Sequence, residues 1–164
     1  MITEPKIEHR DVQPYVAIRT QVTMQELDAT IQQLRQEVLA WITHQGIEPI
    51  RAPFLRNRVI DMQALLDIEV GIPVAHPESA DERVKAGVLP EGRYASLLFI
   101  GWDQGIEANA ALLDWGAKQG LVWDAWDTET GKAFGVRLMS LLTDPSEEPD
   151  QAKWETEVAI RLAS

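Results

Sequence analysis

Cysteine is absent from the 164 residues, which excludes a disulfide framework, a thiol nucleophile and a thiolate zinc site and suits a reducing compartment. Histidine is scarce. His9, His44 and His76 stand far apart, without metal spacing or a Glu-x-x-His pair, so no metal or other cofactor is expected. No apolar run approaches the roughly 20 residues that span a bilayer, and the polar stretch Met1 to Arg10 has no signal-peptide core. No membrane attachment is anticipated, and the expected location is the cytoplasm. Basic residues are also few: 15 Lys and Arg face 26 Asp and Glu, a formal charge of -11. Such a surface repels a phosphate backbone, so direct nucleic-acid binding is not expected. A Walker loop and a Gly-x-Ser-x-Gly elbow are both missing.

The order present is helical first. Met24, Leu27, Ile31, Leu34, Val38 and Trp41 recur at spacings of three and four within Thr23 to Gln45, one apolar stripe of a helix. Thr23 and Glu26 read as a capping box, and Gly46 suits a left-handed helix stop. A second helix is expected from about Gly105 to Gln119, with Ile106, Ala110, Leu113 and Ala117 on one side. Its end repeats the first: Leu39, Trp41, Gln45, Gly46 and Ile47 return as Leu113, Trp115, Gln119, Gly120 and Leu121.

The flanks repeat as well. A tyrosine opens a strand-like run before each helix, Tyr15 to Val22 and Tyr94 to Ile100, and two strand candidates follow each helix. These are about 50–54 and 59–74 in the first half, and about 122–126 and 134–142 in the second, with a last strand over 154–162. The expected fold is α+β: one domain over residues 1–164 holding a duplicated β-α-β-β module with pseudo-twofold symmetry. Its halves are about 5–77 and 83–164, joined near Pro73, Pro77 and the charged run to Arg83. The two long helices would lie on one face of an antiparallel sheet and a ligand groove on the other.

Strand alternation splits each run into two faces. Leu66, Ile68, Val70 and Ile72 form an apolar set against Asp67 and Glu69; Thr156, Val158, Ile160 and Leu162 oppose Glu157, Ala159 and Arg161. Elsewhere both faces are apolar. Leu97 and Phe99 oppose Leu98 and Ile100, and Met139 and Leu141 oppose Val136 and Leu138, so a loop, a dimer partner or a bound molecule must cover the second face. Trp102, Trp123 and Trp126 near strand ends offer walls for a flat organic molecule or serve as ordinary core. Glu69 and Glu157 on the uncovered face are solvated strand residues, or acid-base groups if an apolar cavity encloses them.

Six motifs in order resemble a known family: Pro53-Phe54-Leu55-Arg56, Asp67 to Val74, Leu89-Pro90 to Tyr94-Ala95, Gly101, Thr143-Asp144-Pro145, and Trp154 to Glu157. Together they resemble the GyrI-like small-molecule-binding domain, the effector-binding domain of AraC-type and BmrR-type regulators. That resemblance implies a ligand pocket for lipophilic, often cationic compounds. With the first strand so near the start, no DNA-binding domain is expected ahead of it, as in stand-alone members. The family further implies two other activities, hydrolysis of cyclopropane-bearing DNA-alkylating toxins and inhibition of gyrase as a protein partner.

Glu69 and Glu157 match family positions. Met139 and Leu141 replace an acidic residue and a tyrosine, Asn57 stands where many relatives have tyrosine, and Phe99 where many have histidine. The expected ligand is therefore a small lipophilic or aromatic molecule, held by Phe54, Asn57, Glu69, Phe99, Trp102, Trp123, Trp126, Met139, Leu141 and Glu157. In a hydrolase Glu157, with Glu69 beside it, would be catalytic. The groove is expected to be lopsided, with its aromatic groups drawn mainly from the second half.

Overall fold

Both helix signals become helices in a computed structural model of the chain, which describes residues 1–61, 65–76, 78 and 81–164. Helix α1 spans Leu27–His44 and α2 spans Gly105–Lys118. The capping box forms one turn ahead of α1: the Glu26 amide donates to Thr23 Oγ1 and the Thr23 amide to Glu26 Oε1, both at 3.2 Å. Two otherwise orphaned donors are thereby satisfied. At the far ends Gly46 and Gly120 adopt φ of 72° and 71°. The amides of Ile47 and Leu121 then reach back to the carbonyls of Ile42 and Gly116 at 2.9 Å, the hydrogen bond of a Schellman stop.

The expected stripe of α1 is buried at Ile31, Leu34 and Val38, joined by Ile42. Helix α2 differs. It buries Ala108, Leu112 and Gly116, while Ile106 is 74% exposed and Ala110 and Ala117 face solvent. Small side chains bring α2 close to the sheet, and a Cβ at Gly116 would run into the Trp123 ring. The indole thus supplies apolar surface that the helix itself lacks.

Among the described residues there are ten strands: β1 Lys6–Arg10, β2 Gln13–Val22, β3 Phe54–Ile60, β4 Leu66–Pro73, β5 Lys85–Leu89, β6 Gly92–Ile100, β7 Ala125–Asp127, β8 Lys132–Phe134, β9 Arg137–Leu141 and β10 Glu155–Arg161. The stretch 50–54 is not a strand up to Phe54, where β3 begins; the Ile50 amide still reaches the Pro73 carbonyl at 3.1 Å, but Pro53 offers no amide donor to extend the pairing. The expected run 59–74 instead closes β3 and forms β4, and residues 62–64 within it lie outside the described residues, as does Pro77. The run 134–142 breaks at Gly135, whose missing side chain leaves room for Asp124. The edge strands β1 and β5 lacked an apolar pattern because edges are protected by charge, here Lys6, Glu8, Arg10 and Lys85.

Their pairings are antiparallel among the described residues, in the order β1-β6-β10-β9-β3-β4-β2-β5, with the β7–β8 hairpin joined to β3 through β8. The order reads alike from either end. The trio β2-β4-β3 corresponds to β6-β10-β9, and the halves meet at β3 and β9, where Leu55 faces Met139. Each half also lends its first strand to the other, β1 pairing with β6 and β5 with β2. Both helices cover one face of this curled sheet, since Ile60 and Met139 pack against the α1-side and the α2-side core alike.

Candidate functional site

The opposite face of the sheet has its own cluster of Tyr15, Ala17, Phe54, Leu89, Tyr94, Val136, Leu138 and Ala159. Three aromatic rings form its floor, each only 1–2% exposed. Tyr15 and Phe54 meet edge to face at 5.1 Å between centroids, and Tyr94 donates its hydroxyl to the Pro90 carbonyl at 2.7 Å. Tyr15 lies against Gly87, where a Cβ would fall 2.5 Å from its ring, so a bare backbone admits the phenol.

Strand register places the glutamates as counterparts. Tyr15 pairs with Pro73 and Tyr94 with Arg161, so superposing the two tyrosines superposes Glu69, opposite Arg19, on Glu157, opposite Leu98. Both project from the face away from the helices, between residues of the two helix-side cores. Their surroundings differ. The Glu69 side chain is 10% exposed and accepts from the Tyr15 hydroxyl at 3.0 Å and from Arg58 Nη1 at 2.7 Å. Arg56 Nη1 stands 3.6 Å from the same carboxylate and donates to Tyr15 at 2.8 Å, while its Nη2 donates to the Gly135 carbonyl at 2.7 Å. Burial, with the Glu69 charge beside it, pushes the Tyr15 hydroxyl up to about 12 against the opposing pull of Arg56. It remains a donor near neutrality.

Glu157 is 22% exposed and has Arg10 Nη2 at 2.8 Å. That arginine also holds Glu8 and lies 5.4 Å from the centre of the Tyr94 ring. Burial alone would lower the Arg10 guanidinium, but the Glu157 carboxylate overrides it and holds the group above its ordinary value. Each glutamate therefore carries an arginine from another strand.

Of the expected ligand residues, the structure gathers Phe54, Glu69 and Glu157 on this face. Phe99 is fully buried in the α2-side core, because β6 turns Leu97 and Phe99 toward the helix and Leu98 outward. Met139 and Leu141 lie on the helix side for the same reason, and Asn57 pairs with Ile68, a helix-side residue. Trp102 stacks edge to face on Trp154 at 6.1 Å, Trp123 covers α2, and Trp126 is 52% exposed on the β7–β8 hairpin. The aromatic floor draws Tyr15 and Phe54 from the first half and Tyr94 from the second, reversing the expected lopsidedness. Tyr15, Tyr94, Arg10, Arg56 and Arg58 were not among the expected site residues; the signal for the tyrosines was their matching position at the head of each repeated strand.

Other features offer less. A cleft of about 10 Å³ between Arg35, Trp102, Leu141 and Trp154 on the helix side has room for about one water. Among the described residues, His9, Asp11 and Glu91 bring potential metal ligands within 4.8 Å, all at the exposed surface. No helix of the described residues is long and apolar enough to cross a membrane.

Comparison with known proteins accords with this geometry. The family model described as GyrI-like small molecule binding domain matches residues 3–163. No curated protein matches the chain. Among solved structures, the EcmrR C-terminal domain superposes with a TM-score of 0.74 at 13% identity, covering 98% of both chains. The chain spans 57% of the full EcmrR in its DNA complex, at a TM-score of 0.75 and 15% identity. A hydrolase from Listeria innocua gives 0.63 at 14% identity, covering 98% of this chain and 92% of its own. SAV2435 bound to tetraphenylphosphonium gives 0.63 at 12% identity, covering 99% and 95%.

Proposed function

Because the chain belongs to the GyrI-like small-molecule-binding family, we propose that the sheet face away from the helices takes up a small lipophilic, aromatic molecule. The observation that carries this reading is the placement of two counterpart glutamates, one from each half, on the same sheet face as Tyr15, Phe54 and Tyr94. An apolar floor supplies affinity and a few polar groups set orientation. The tetraphenylphosphonium held by SAV2435 supports a ligand of this kind. In this reading the ligand reaches the rings of Tyr15, Phe54 and Tyr94, each 1–2% exposed, as the arginine side chains beside them move aside, and Glu69 and Glu157 orient it.

The six tryptophans all lie outside the aromatic floor, so indole fluorescence is a poor reporter. Amide NMR shifts and thermal stabilisation with an uncharged probe such as triphenylmethanol are better. Binding should perturb amides of β2, β4 and β10, and Phe54→Ala should weaken it. Shifts confined to the helix side, or none with any uncharged aromatic, would refute the proposal.

A second reading is hydrolysis, favoured by one observation: the Glu157 side chain is 22% exposed, against 10% for Glu69. It would take the proton of a water whose oxygen bonds to a cyclopropane carbon while the ring C–C bond breaks and its electron pair moves into a conjugated carbonyl of the substrate, and chains described as hydrolases share the fold. Incubation with a cyclopropane-bearing alkylator, followed by mass spectrometry for added water, tests it. Product formed equally well by Glu157→Gln removes Glu157 from the chemistry.

A further inference from the structure

Helix α1 packs chiefly on β2 and β4, and α2 on β6 and β10, so the two central strands, β3 and β9, run beneath the gap between the helices. On β9 the side chains facing that gap are Arg137, Met139 and Leu141, opposite Ile160, Val158 and Thr156, and all three are half-buried. Arg137 stands apart from the chain's other arginines. Arg10, Arg35, Arg56, Arg58 and Arg161, the others withdrawn from solvent, each have a carboxylate oxygen at 3.8 Å or less. Arg137 has no ion pair among the described residues, and residues 62–64, 77, 79 and 80 include no Asp or Glu. Its Nη2 donates to Asn109 Oδ1 at 3.0 Å, and its guanidinium carbon lies 4.8 Å from the centre of the Phe134 ring. The Asn109 amide is held in turn by the Gly105 carbonyl, to which its Nδ2 donates at 2.8 Å. The remaining donors are unused: Arg137 Nε is buried without a partner, and Nη1 is unpartnered but reaches solvent. Burial alone pulls this guanidinium down to about 10, with no neighbouring charge to raise it again. It is still a cation near neutrality.

We propose that the gap between the helices binds a lipophilic carboxylate, with Arg137 as its anchor. A carboxylate arriving from solvent meets Nη1 first and supplies the counter-charge that the chain withholds, through a charge-assisted hydrogen bond. Met139 and Leu141 continue the same face of the strand for about 13 Å beyond Arg137 at the usual rise per residue. The accessible strip is one side chain wide, since Leu55, the neighbour of Met139 on β3, is fully buried. An extended hydrocarbon body fits such a strip, and the unbranched Met139 side chain adapts to it. A small inorganic anion would leave Met139 and Leu141 uncovered. At the far end the cleft between Leu141, Trp102 and Arg35 has room for about one water, so the hydrocarbon lies over the strand and ends there. This site is on the helix side of the sheet and does not depend on the aromatic floor of the opposite face.

Decanoate, decanol and decylamine share one chain and differ in the charge of the head group at neutral pH. Calorimetric titration at about 0.15 M salt, where surface charges are largely screened, should give decanoate a dissociation constant roughly tenfold or more below that of decylamine, equivalent to about 1.4 kcal/mol. Decanol should fall between them. In NMR spectra decanoate should shift the amides of β9 and α2 and the Nε–H resonance of Arg137. Arg137→Met should bring the three dissociation constants within a few-fold of one another. If thermal unfolding shows that this variant has lost its fold, the Nε–H resonance of the unaltered protein carries the test. No binding of decanoate, decylamine bound as tightly, a folded Arg137→Met that keeps the preference, or an unmoved Nε–H resonance would each overturn the assignment. Triphenylmethanol reports on the opposite face through its own shifts in β2 and β4, so failure of one site is told from failure of the other.

Discussion

Glu69 and Glu157 occupy counterpart positions, yet their removal should cost very different amounts. Glu69→Ala deletes a carboxylate that is 10% exposed and accepts from Tyr15 and Arg58. It leaves Arg56, 9% exposed with one nitrogen already unpartnered, beside Arg58 with no shared anion. Breaking a buried ion pair from one side costs about 3–5 kcal/mol, since the remaining charge is uncompensated. Glu157→Ala breaks a pair whose members are 22% and 25% exposed, for which about 1 kcal/mol or less is expected after screening by solvent. In a domain of 164 residues each kcal/mol moves the midpoint by about 2–4 °C, so the expected losses are about 6–20 °C and below about 4 °C. Scanning calorimetry and urea midpoints at constant slope measure both. Adding Arg56→Met to Glu69→Ala should recover part of the loss, because the stranded cation is gone. Equal losses from the two glutamates, or no recovery in the double variant, would refute this account of the buried network.

Alkaline titration provides a second check. The chain's two tyrosines are both raised by burial, Tyr15 to about 12, whereas an unfolded tyrosine ionises near 10. Between those values the unfolded chain binds fewer protons, so the stability due to Tyr15 is whole below about pH 10 and is lost as pH climbs, at up to about 1.4 kcal/mol per unit. Tyrosinate absorbance should lag in the folded protein and rise with unfolding; a midpoint near 10 without unfolding contradicts the burial of both phenols. Gly116→Ala should destabilise by about 1–3 kcal/mol through overpacking against Trp123, with a shift in indole emission; a neutral or stabilising result means that the ring is not held there. Gly46→Ala and Gly120→Ala, at φ of 72° and 71°, should each cost about 1–2 kcal/mol for the left-handed backbone alone, and urea midpoints should show the two losses adding.

Local signals were legible wherever one segment suffices to satisfy them. The capping box at Thr23 and Glu26, the stops at Gly46 and Gly120, and the apolar faces of β4 and β10 depend on residues a few positions apart, and they are formed as expected. Helix α2 was misread in its face because small residues, rather than large apolar ones, mark where a helix approaches a sheet closely. Strands β1 and β5 were missed because charged edge strands have no apolar alternation to read.

From the sequence by itself come the α+β class, the doubled helix-stop pattern, the family resemblance and the alternation that sets Glu69 and Glu157 on the face away from the helices. Tertiary structure alone decided which aromatics that face contains and what the glutamates touch. Trp102, Trp123 and Phe99 promised a pocket by residue type, but which way a strand faces at its end depends on bulges, breaks and the helix packed above it. The counter-ions were out of reach of any local pattern. Arg10 meets Glu157 across 147 residues, and Arg56 meets Tyr15 across 41, because the exchanged first strands and the antiparallel register bring distant segments side by side. A side chain's charge is written in the sequence, but its partner is chosen by the register of the sheet.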